Sequence, residues 1–254
     1  MHVVITGASS GIGKALAHEF GKHEHHKVTL IARRVEVLQD LSKELTATSL
    51  SLRADLTEPG AGARALEEAV TAFGPVDLLI NNAGANHIAE PAGFAVEDAQ
   101  RLFELNVFSP MRLVEAVLPS MRERGAGAIV NISSIAAANA PGMMTHYAAS
   151  KAALARYSEG LGTQLAKEGV HVLTVYPGPV KTPMEDAVRE KLGGDLGLGD
   201  KLPSGSPDEL ARLIAEALNG TRRRLVYPKM YASALWLPLV GQRLTDEFSP
   251  TLDS

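Results

Sequence analysis

The chain has 254 residues, 45% of them hydrophobic, with a formal net charge of -4 and no cysteine. That length fits one α/β domain, or at most two small ones, with enough apolar mass for a full core. A disulfide framework and thiolate chemistry are excluded, no basic block marks a nucleic-acid partner, and no apolar run is long enough to span a bilayer. Met1-His2-Val3-Val4 enters structure at once without a leader-like stretch, which makes the cytoplasm the expected location.

His2 to Thr6 is a short apolar run, read as a first strand. Gly7-Ala8-Ser9-Ser10-Gly11-Ile12-Gly13 follows, and Ile12, Leu16 and Phe20 then recur at helical spacing. Strand, glycine-rich turn and helix is the layout of a phosphate-binding crevice. Glycines let backbone N–H groups approach a pyrophosphate, and the helix N-terminus adds partial positive charge. The Gly-x-x-x-Gly-x-Gly spacing differs from both the Gly-x-Gly-x-x-Gly dinucleotide pattern and the P-loop, so a plain flexible turn is the competing reading. His23, Glu24, His25 and His26 lie between a helix end and the next strand and read as a surface turn, not a metal site.

Lys27 to Ala32 is the second strand. Arg33 and Arg34 stand after it, where a carboxylate would hold the ribose 2′-hydroxyl of NAD. Two cations suit a 2′-phosphate instead, or simply face solvent. Ala47 to Arg53 reads as the third strand, closed by Asp55 and Leu56. Val76 to Ile80 is the fourth, capped by Asn81-Asn82-Ala83-Gly84, whose small residues fit a flat cofactor lying close to backbone. A long helix follows Glu97. Asn106 and Ser109 interrupt it, Pro110 is expected to kink it, and the Asn106 amide is either a site group or a satisfied structural one.

Ala128 to Ile132 is the fifth strand, with Ser133 and Ser134 at its tip and a mostly small or apolar loop, Ile135 to His146, beyond. Tyr147 and Lys151 stand four apart in an alanine-rich helix running to about Lys167, hence on one face. A neighbouring ammonium favours phenolate and is expected to pull the tyrosine below its ordinary pKa of about 10. Val170 to Tyr176 is the sixth strand, and Pro177-Gly178-Pro179-Val180-Lys181-Thr182-Pro183 is a shaped loop at the sheet edge. A flap over about 183–203 contains a short helix at 184–192 and a glycine-rich stretch. Pro207 to Leu218 is a helix, and Leu225 to Tyr227 a last strand. The apolar extension over about 229–254, around Trp236, reads as a pocket cover, a subunit contact or a peripheral membrane contact.

Strands and helices alternate throughout, which predicts a single α/β domain over 1–254, a doubly wound parallel sheet with helices on both faces. In this order and spacing, the stretches Thr6–Gly13, Asp55, Asn81–Gly84, Asn106, Asn131–Ser134, Tyr147-x-x-x-Lys151 and Pro177-Gly178 closely resemble the classical short-chain dehydrogenase/reductase family, from residue 2 to about 228. The resemblance implies a Rossmann-like sheet of seven strands ordered 3-2-1-4-5-6-7. It implies a carbonyl reductase-like member that prefers NADP(H), with NAD(H) possible because Ser10 stands where many NADPH users carry Lys or Arg.

By the same resemblance, Gly7, Ser9, Ser10, Gly11, Ile12 and Gly13 would hold the pyrophosphate, Arg33 and Arg34 the 2′-phosphate, and Asp55 and Leu56 the adenine. Asn82, Ala83 and Gly84 would line the adenosine side, and Pro177, Gly178, Val180 and Thr182 the nicotinamide side. Asn106, Ser134, Tyr147 and Lys151 resemble the catalytic tetrad, with Tyr147 and Lys151 also meeting the cofactor and Asn106 fixing a water that relays protons to Lys151. Ser134, Met143, Met144, Tyr147 and Met184 would meet substrate. The implied reaction is reduction of a moderately hydrophobic ketone or aldehyde. Alcohol oxidation with NAD(P)+ and a non-catalytic NADP(H)-binding sensor or scaffold are the alternatives. A homodimer or homotetramer is implied, with no metal and no nucleic acid.

Overall fold

The computed structural model describes residues 1–89, 95–192, 204–237, 239 and 242–243. Seven parallel strands form one sheet in the order β3-β2-β1-β4-β5-β6-β7. They are β1 (His2–Thr6), β2 (Lys27–Ala32), β3 (Thr48–Arg53), β4 (Leu78–Asn81), β5 (Gly127–Ile132), β6 (Val170–Pro177) and β7 (Arg224–Tyr227). The helices are α1 (Gly11–Gly21), α2 (Val35–Lys43), α3 (Ala61–Phe73), α4 (Val96–Phe103), α5 (Ser109–Arg124), α6 (Thr145–Leu165), α7 (Pro183–Lys191), α8 (Pro207–Leu218) and α9 (Ala232–Trp236). The sheet order and most spans agree with the sequence reading. The largest strand shift is at β4, which starts two residues later and runs on to Asn81. β6 extends through Pro177, which pairs with Tyr227 at the very end of the ladder, where its missing N–H is tolerated.

Alternation along each strand splits the core into two layers. Val3, Ile5, Leu78, Ile80, Val130, Ile132, Leu173 and Val175 pack with α1, α2 and α8. Val4, Leu79, Ile129 and Val172 pack with α3, α5 and α6. A parallel sheet needs both faces covered, and this is why its strands read as continuous apolar runs rather than alternating ones. Full burial of a side chain such as Leu16 or Leu113 contributes about 2 kcal/mol. The strand order reverses between β1 and β4, and there the carboxyl ends of the strands leave a crevice.

The helix after Glu97 widens midway along its length. Glu104–Phe108 is a π-helical segment joining α4 to α5, and the Ser109 N–H reaches back five residues to the Glu104 carbonyl. Pro110 is the cause. It has no N–H for the Asn106 carbonyl, and its ring would strike that carbonyl in a regular α-turn. The wider turn removes the collision and keeps Asn106 fully buried.

A buried polar chain ties α6 to three strands. Asn81 Nδ2 donates to Asn131 Oδ1 (2.8 Å), Asn131 Nδ2 donates to Ser158 Oγ (3.0 Å), and Thr174 Oγ1 donates to Ser158 Oγ (2.7 Å). Paired polar groups in a dry interior resist sliding, because any shift would strand one of them without a partner. The helix that carries Tyr147 and Lys151 is therefore fixed in register against the sheet.

Candidate active site

The turn after β1 is held from below. Thr6 Oγ1 accepts the N–H groups of Asn82 and Ala83 (3.0 Å each), while Asn82 Nδ2 donates to the carbonyls of Thr6 (3.0 Å) and Gly7 (3.2 Å). Gly7 has φ +66°, a left-handed conformation that favours glycine, and a Cβ there would lie 2.8 Å from Ala83 Cα. A Cβ on Gly13 would lie 2.1 Å from the Gly7 oxygen. Helix α1 therefore begins as close to the strand as backbone allows. Its N-cap, Ser10, is extended, makes no side-chain cap, and no acidic residue follows in the first turn. The first N–H groups of the helix and its partial positive charge face the crevice.

A cavity of about 470 Å³ fills that crevice. One arm is walled by Gly7, Ser9, Ser10, Gly11, Ile12, Arg33, Arg34, Asp55, Leu56, Asn82, Ala83 and Gly84. The other is walled by Ser134, Tyr147, Lys151, Pro177, Gly178, Val180 and Thr182, with Met144 and Met184 further out. Gly13 is not on the wall. It lies beneath the turn, and its role is to let α1 approach Gly7 and Asn82. Arg34 Nη2 donates to Ser9 Oγ (3.0 Å), which orients one guanidinium at the mouth of the first arm. Asp55 Oδ1 accepts the N–H (3.0 Å) and hydroxyl (2.7 Å) of Thr57. Those bonds, aided by Arg33, hold its carboxyl below the usual range. The glycine cradle, the α1 N-terminus and the cations fit a dinucleotide with its pyrophosphate at the helix end.

The second arm is made of interlocked side chains. Ser133 Oγ donates to the Lys151 carbonyl (2.8 Å), so the first of the two serines ties the β5 tip to α6. Ser134 caps a 3-10 turn, Ile135–Ala137; its Oγ accepts the Ala136 N–H (3.1 Å) and lies 3.5 Å from the Pro177 carbonyl. Asn106 clasps Ala85, its Oδ1 accepting the N–H and its Nδ2 donating to the carbonyl, both at 2.9 Å. The same Nδ2 donates to Ser150 Oγ (3.0 Å), which in turn donates to the Tyr147 carbonyl (2.7 Å). Asn106 thus stands behind the wall with its amide committed to protein groups. Ser150 is the link that sequence reasoning missed. Its only sequence signal is a hydroxyl inside the Tyr-x-x-x-Lys turn.

Lys151 is buried, and Nζ donates to the Ile132 carbonyl (2.9 Å). Burial lowers its pKa to about 8. The expected lowering of the Tyr147 phenol does not appear. Burial raises it, the Ser134 hydroxyl partly offsets the rise, and the Glu185 carboxylate adds to it. The lysine head lies 5.9 Å from the Tyr147 ring centroid and donates to the Ile132 carbonyl.

Met143 is a second correction. Its backbone is left-handed (φ 63°), its carbonyl accepts the Ala89 N–H (3.1 Å), and it is not among the lining residues. Glu185, by contrast, is on the wall, although its place in a polar run, Glu185-Asp186, hid it in the sequence. Thr182 caps α7 by accepting the Glu185 N–H (3.3 Å). The base of the flap is pinned where Lys181 N–H donates to Gly205 O (3.0 Å) and Gly205 N–H to Pro179 O (2.8 Å); residues 193–203 of the flap lie outside the described residues. In the extension, the Tyr231 ring packs on Gly178, and the Gln242 amide exchanges hydrogen bonds with the Ala140 backbone (2.8 and 3.3 Å) in the loop that carries Met144. Trp236 is 77% exposed. Among the described residues, no helix is long and apolar enough to cross a membrane.

This fold, with a nucleotide-shaped crevice at its switch point and Ser134, Tyr147 and Lys151 on one wall, defines an oxidoreductase that works with NAD(P)(H). Residues 1–193 match the model of the short chain dehydrogenase family, and the chain belongs to that family. It is 33% identical to a fatty acyl-CoA reductase of Mycobacterium tuberculosis over 248 residues, 95% of this chain and 81% of the relative. A short-chain dehydrogenase from Streptomyces avermitilis superposes with a TM-score of 0.81 at 34% identity, over 96% of this chain and 93% of that one. A short-chain dehydrogenase from Sphingobium yanoikuyae in complex with NADPH superposes with a TM-score of 0.79 at 31% identity, over 100% and 98%.

Proposed function

We propose that this enzyme reduces a moderately hydrophobic ketone or aldehyde to the alcohol, using NADPH in preference to NADH. The observation that carries the reading is the wall on which Ser134, Tyr147 and Lys151 meet beside an apolar surface that includes Met144 and Met184. A reduced nicotinamide bound along the cavity supplies the hydride. The Ser134 and Tyr147 hydroxyls donate hydrogen bonds to the carbonyl oxygen, where negative charge develops. Tyr147 gives up its proton as general acid, and its raised pKa keeps that proton in place at neutral pH. Lys151, with one N–H on Ile132 O, has two further donors for ribose hydroxyls. Its pKa of about 8 lets it exchange a proton near neutrality. The Asn106 amide is committed to Ala85 and Ser150, so a water relay toward Lys151 would rest on the Asn106 carbonyl, to which Pro110 has no N–H to offer.

The preference for NADPH rests on Arg33 and on Arg34, already oriented by Ser9. A relative whose structure was solved in complex with NADPH points the same way. The remaining cofactor contacts follow the wall: the turn from Gly7 to Ile12, Asp55 and Leu56, Asn82 to Gly84, Pro177, Gly178, Val180 and Thr182. Residues 1–254 are read as one domain with a flap at 183–203 and an extension from 229, acting in the cytoplasm as a homodimer or homotetramer. The test is initial rates of cofactor oxidation over a panel of apolar ketones and aldehydes, with NADPH and NADH in parallel. A rate with NADPH that exceeds the NADH rate is expected. Cofactor binding without turnover in either direction would favour a sensor or scaffold instead.

A further inference from the structure

At its adenosine end the nucleotide arm adjoins a second cavity, of about 370 Å³. The two cavities share Arg33, Ala54 and Asp55 as wall residues, and Arg53 borders the second. Arg53 ends β3 and is the ladder partner of Ala32, the last residue of β2. Its backbone therefore runs about 4.8 Å from the residue that precedes Arg33 and Arg34. Leu50 and Leu52 pack in the α3 layer, whereas Ala32 packs in the layer of α1 and α2. By alternation Arg53 leaves the strand on the same face as Ala32, toward the start of α2. The sheet thus brings a third cation beside Arg33 and Arg34.

The nearby cations differ in how they are used. Arg34 donates to Ser9 Oγ (3.0 Å), and Arg64 Nη1 donates to the Pro59 carbonyl (3.4 Å). The Arg53 guanidinium is exposed and makes no hydrogen bond or ion pair among the described residues. The acids bordering the second cavity are Asp55, tied to Thr57, and Glu58 and Glu68 on the α3 side. A guanidinium whose five donors are unused by the protein suits an oxyanion, and phosphate above all. A 2′-phosphate carries close to two negative charges at neutral pH, and a single exposed pair is weak, so several cations are needed to hold it.

We propose that Arg53 is a further cofactor-specificity residue, whose guanidinium meets the adenosine 2′-phosphate of NADPH from the β3 side while Arg33 and Arg34 meet it from the β2 side. This rests on the NADPH reading above and extends it to a residue on another strand. NADH presents a neutral hydroxyl at that point and gains almost nothing from Arg53.

The test uses 2′,5′-ADP and 5′-AMP, which differ in that one phosphate and need no turnover. Their dissociation constants are measured by calorimetry. Wild type is expected to hold 2′,5′-ADP the more tightly. Arg53→Ala is expected to cut that preference about tenfold by weakening 2′,5′-ADP alone. Arg53→Glu is expected to cut it further, and Arg53→Lys, which keeps the charge without the fork, to retain part of it. Arg64→Ala removes a cation that borders the same cavity from α3 and is expected to change neither constant. Thermal midpoints show that each variant is folded. An unchanged preference in Arg53→Ala would overturn the proposal, as would equal weakening of both nucleotides. So would a loss in Arg64→Ala as large as in Arg53→Ala, since a general field rather than a contact would then be acting. Equal affinity of wild type for the two nucleotides would instead overturn the NADPH reading on which the proposal rests.

Discussion

The cavity's nucleotide arm and its carbonyl arm hold their shapes by different means. The first is backbone laid against backbone: Gly7 and Gly13 leave out atoms so that α1, the turn and the Asn82 amide can touch. The second is a web of buried side chains, in which Asn106, Ser150, Ser133 and Lys151 each hold a partner brought from a distant part of the chain. The fold of the first arm is therefore sensitive to added atoms, and the chemistry of the second to removed ones.

Adding a single methyl at Gly13 is the most severe way to strain this contrast. Gly13→Ala would drive a Cβ to 2.1 Å from the Gly7 oxygen and 2.5 Å from Asn82 Nδ2. We expect a loss of about 3 kcal/mol of stability and of cofactor binding, because backbone has to move. Urea unfolding and cofactor titration check it, and a variant that binds normally would show that the turn is looser than described.

Removing one oxygen from the other arm should spare the fold. Tyr147→Phe keeps the backbone carbonyl that Ser150 uses. It is expected to bind NADPH as wild type does, yet to lose two or more decades of turnover, about 2.7 kcal/mol of barrier. Near-normal rates in that variant would remove Tyr147 from the chemistry.

Lys151 tests whether the carbonyl arm trades stability for function. Its folded pKa of about 8 lies below its ordinary value of 10.5, so the charged form carries a burial cost below pH 8. That cost is relieved as pH rises from about 8 toward 10.5, because only the unfolded chain still holds the proton there. Lys151→Met is expected to abolish turnover while raising stability at pH 7 by about 2 kcal/mol. The gain over wild type should shrink when unfolding is repeated near pH 10. A destabilised Met variant at pH 7 would mean that the bond to Ile132 outweighs the burial cost.

The smallest effect is expected at the rim of the nucleotide arm. Arg34 is exposed and bonded to Ser9, so Arg34→Ala should leave the fold intact. It is expected to weaken NADPH about tenfold, about 1.4 kcal/mol, and NADH hardly at all. Equal weakening of both cofactors would place the 2′-phosphate elsewhere.

Much of this was legible in residue order. Apolar runs and helical spacing marked the strands and helices, because burial on a sheet face or a helix stripe imposes a local period on the chain. Glycines after β1 marked the nucleotide arm, since a missing Cβ is a local property, and Tyr147 and Lys151 declared a shared helix face. Other features were settled only by docking. The π-turn depends on Pro110 acting on the Asn106 carbonyl within a rod that has to keep Asn106 facing Ala85. The upward shift of the Tyr147 phenol depends on its burial once the layers have packed, and four-residue spacing does not encode that. Met143 is off the cavity wall and Glu185 is on it, a difference that polarity along the chain does not encode. Sequence alone determined the elements, the family resemblance and the residue types of the site. The tertiary structure decided which groups meet and with what charge, because burial and contacts between residues far apart in the chain exist only once the layers have packed.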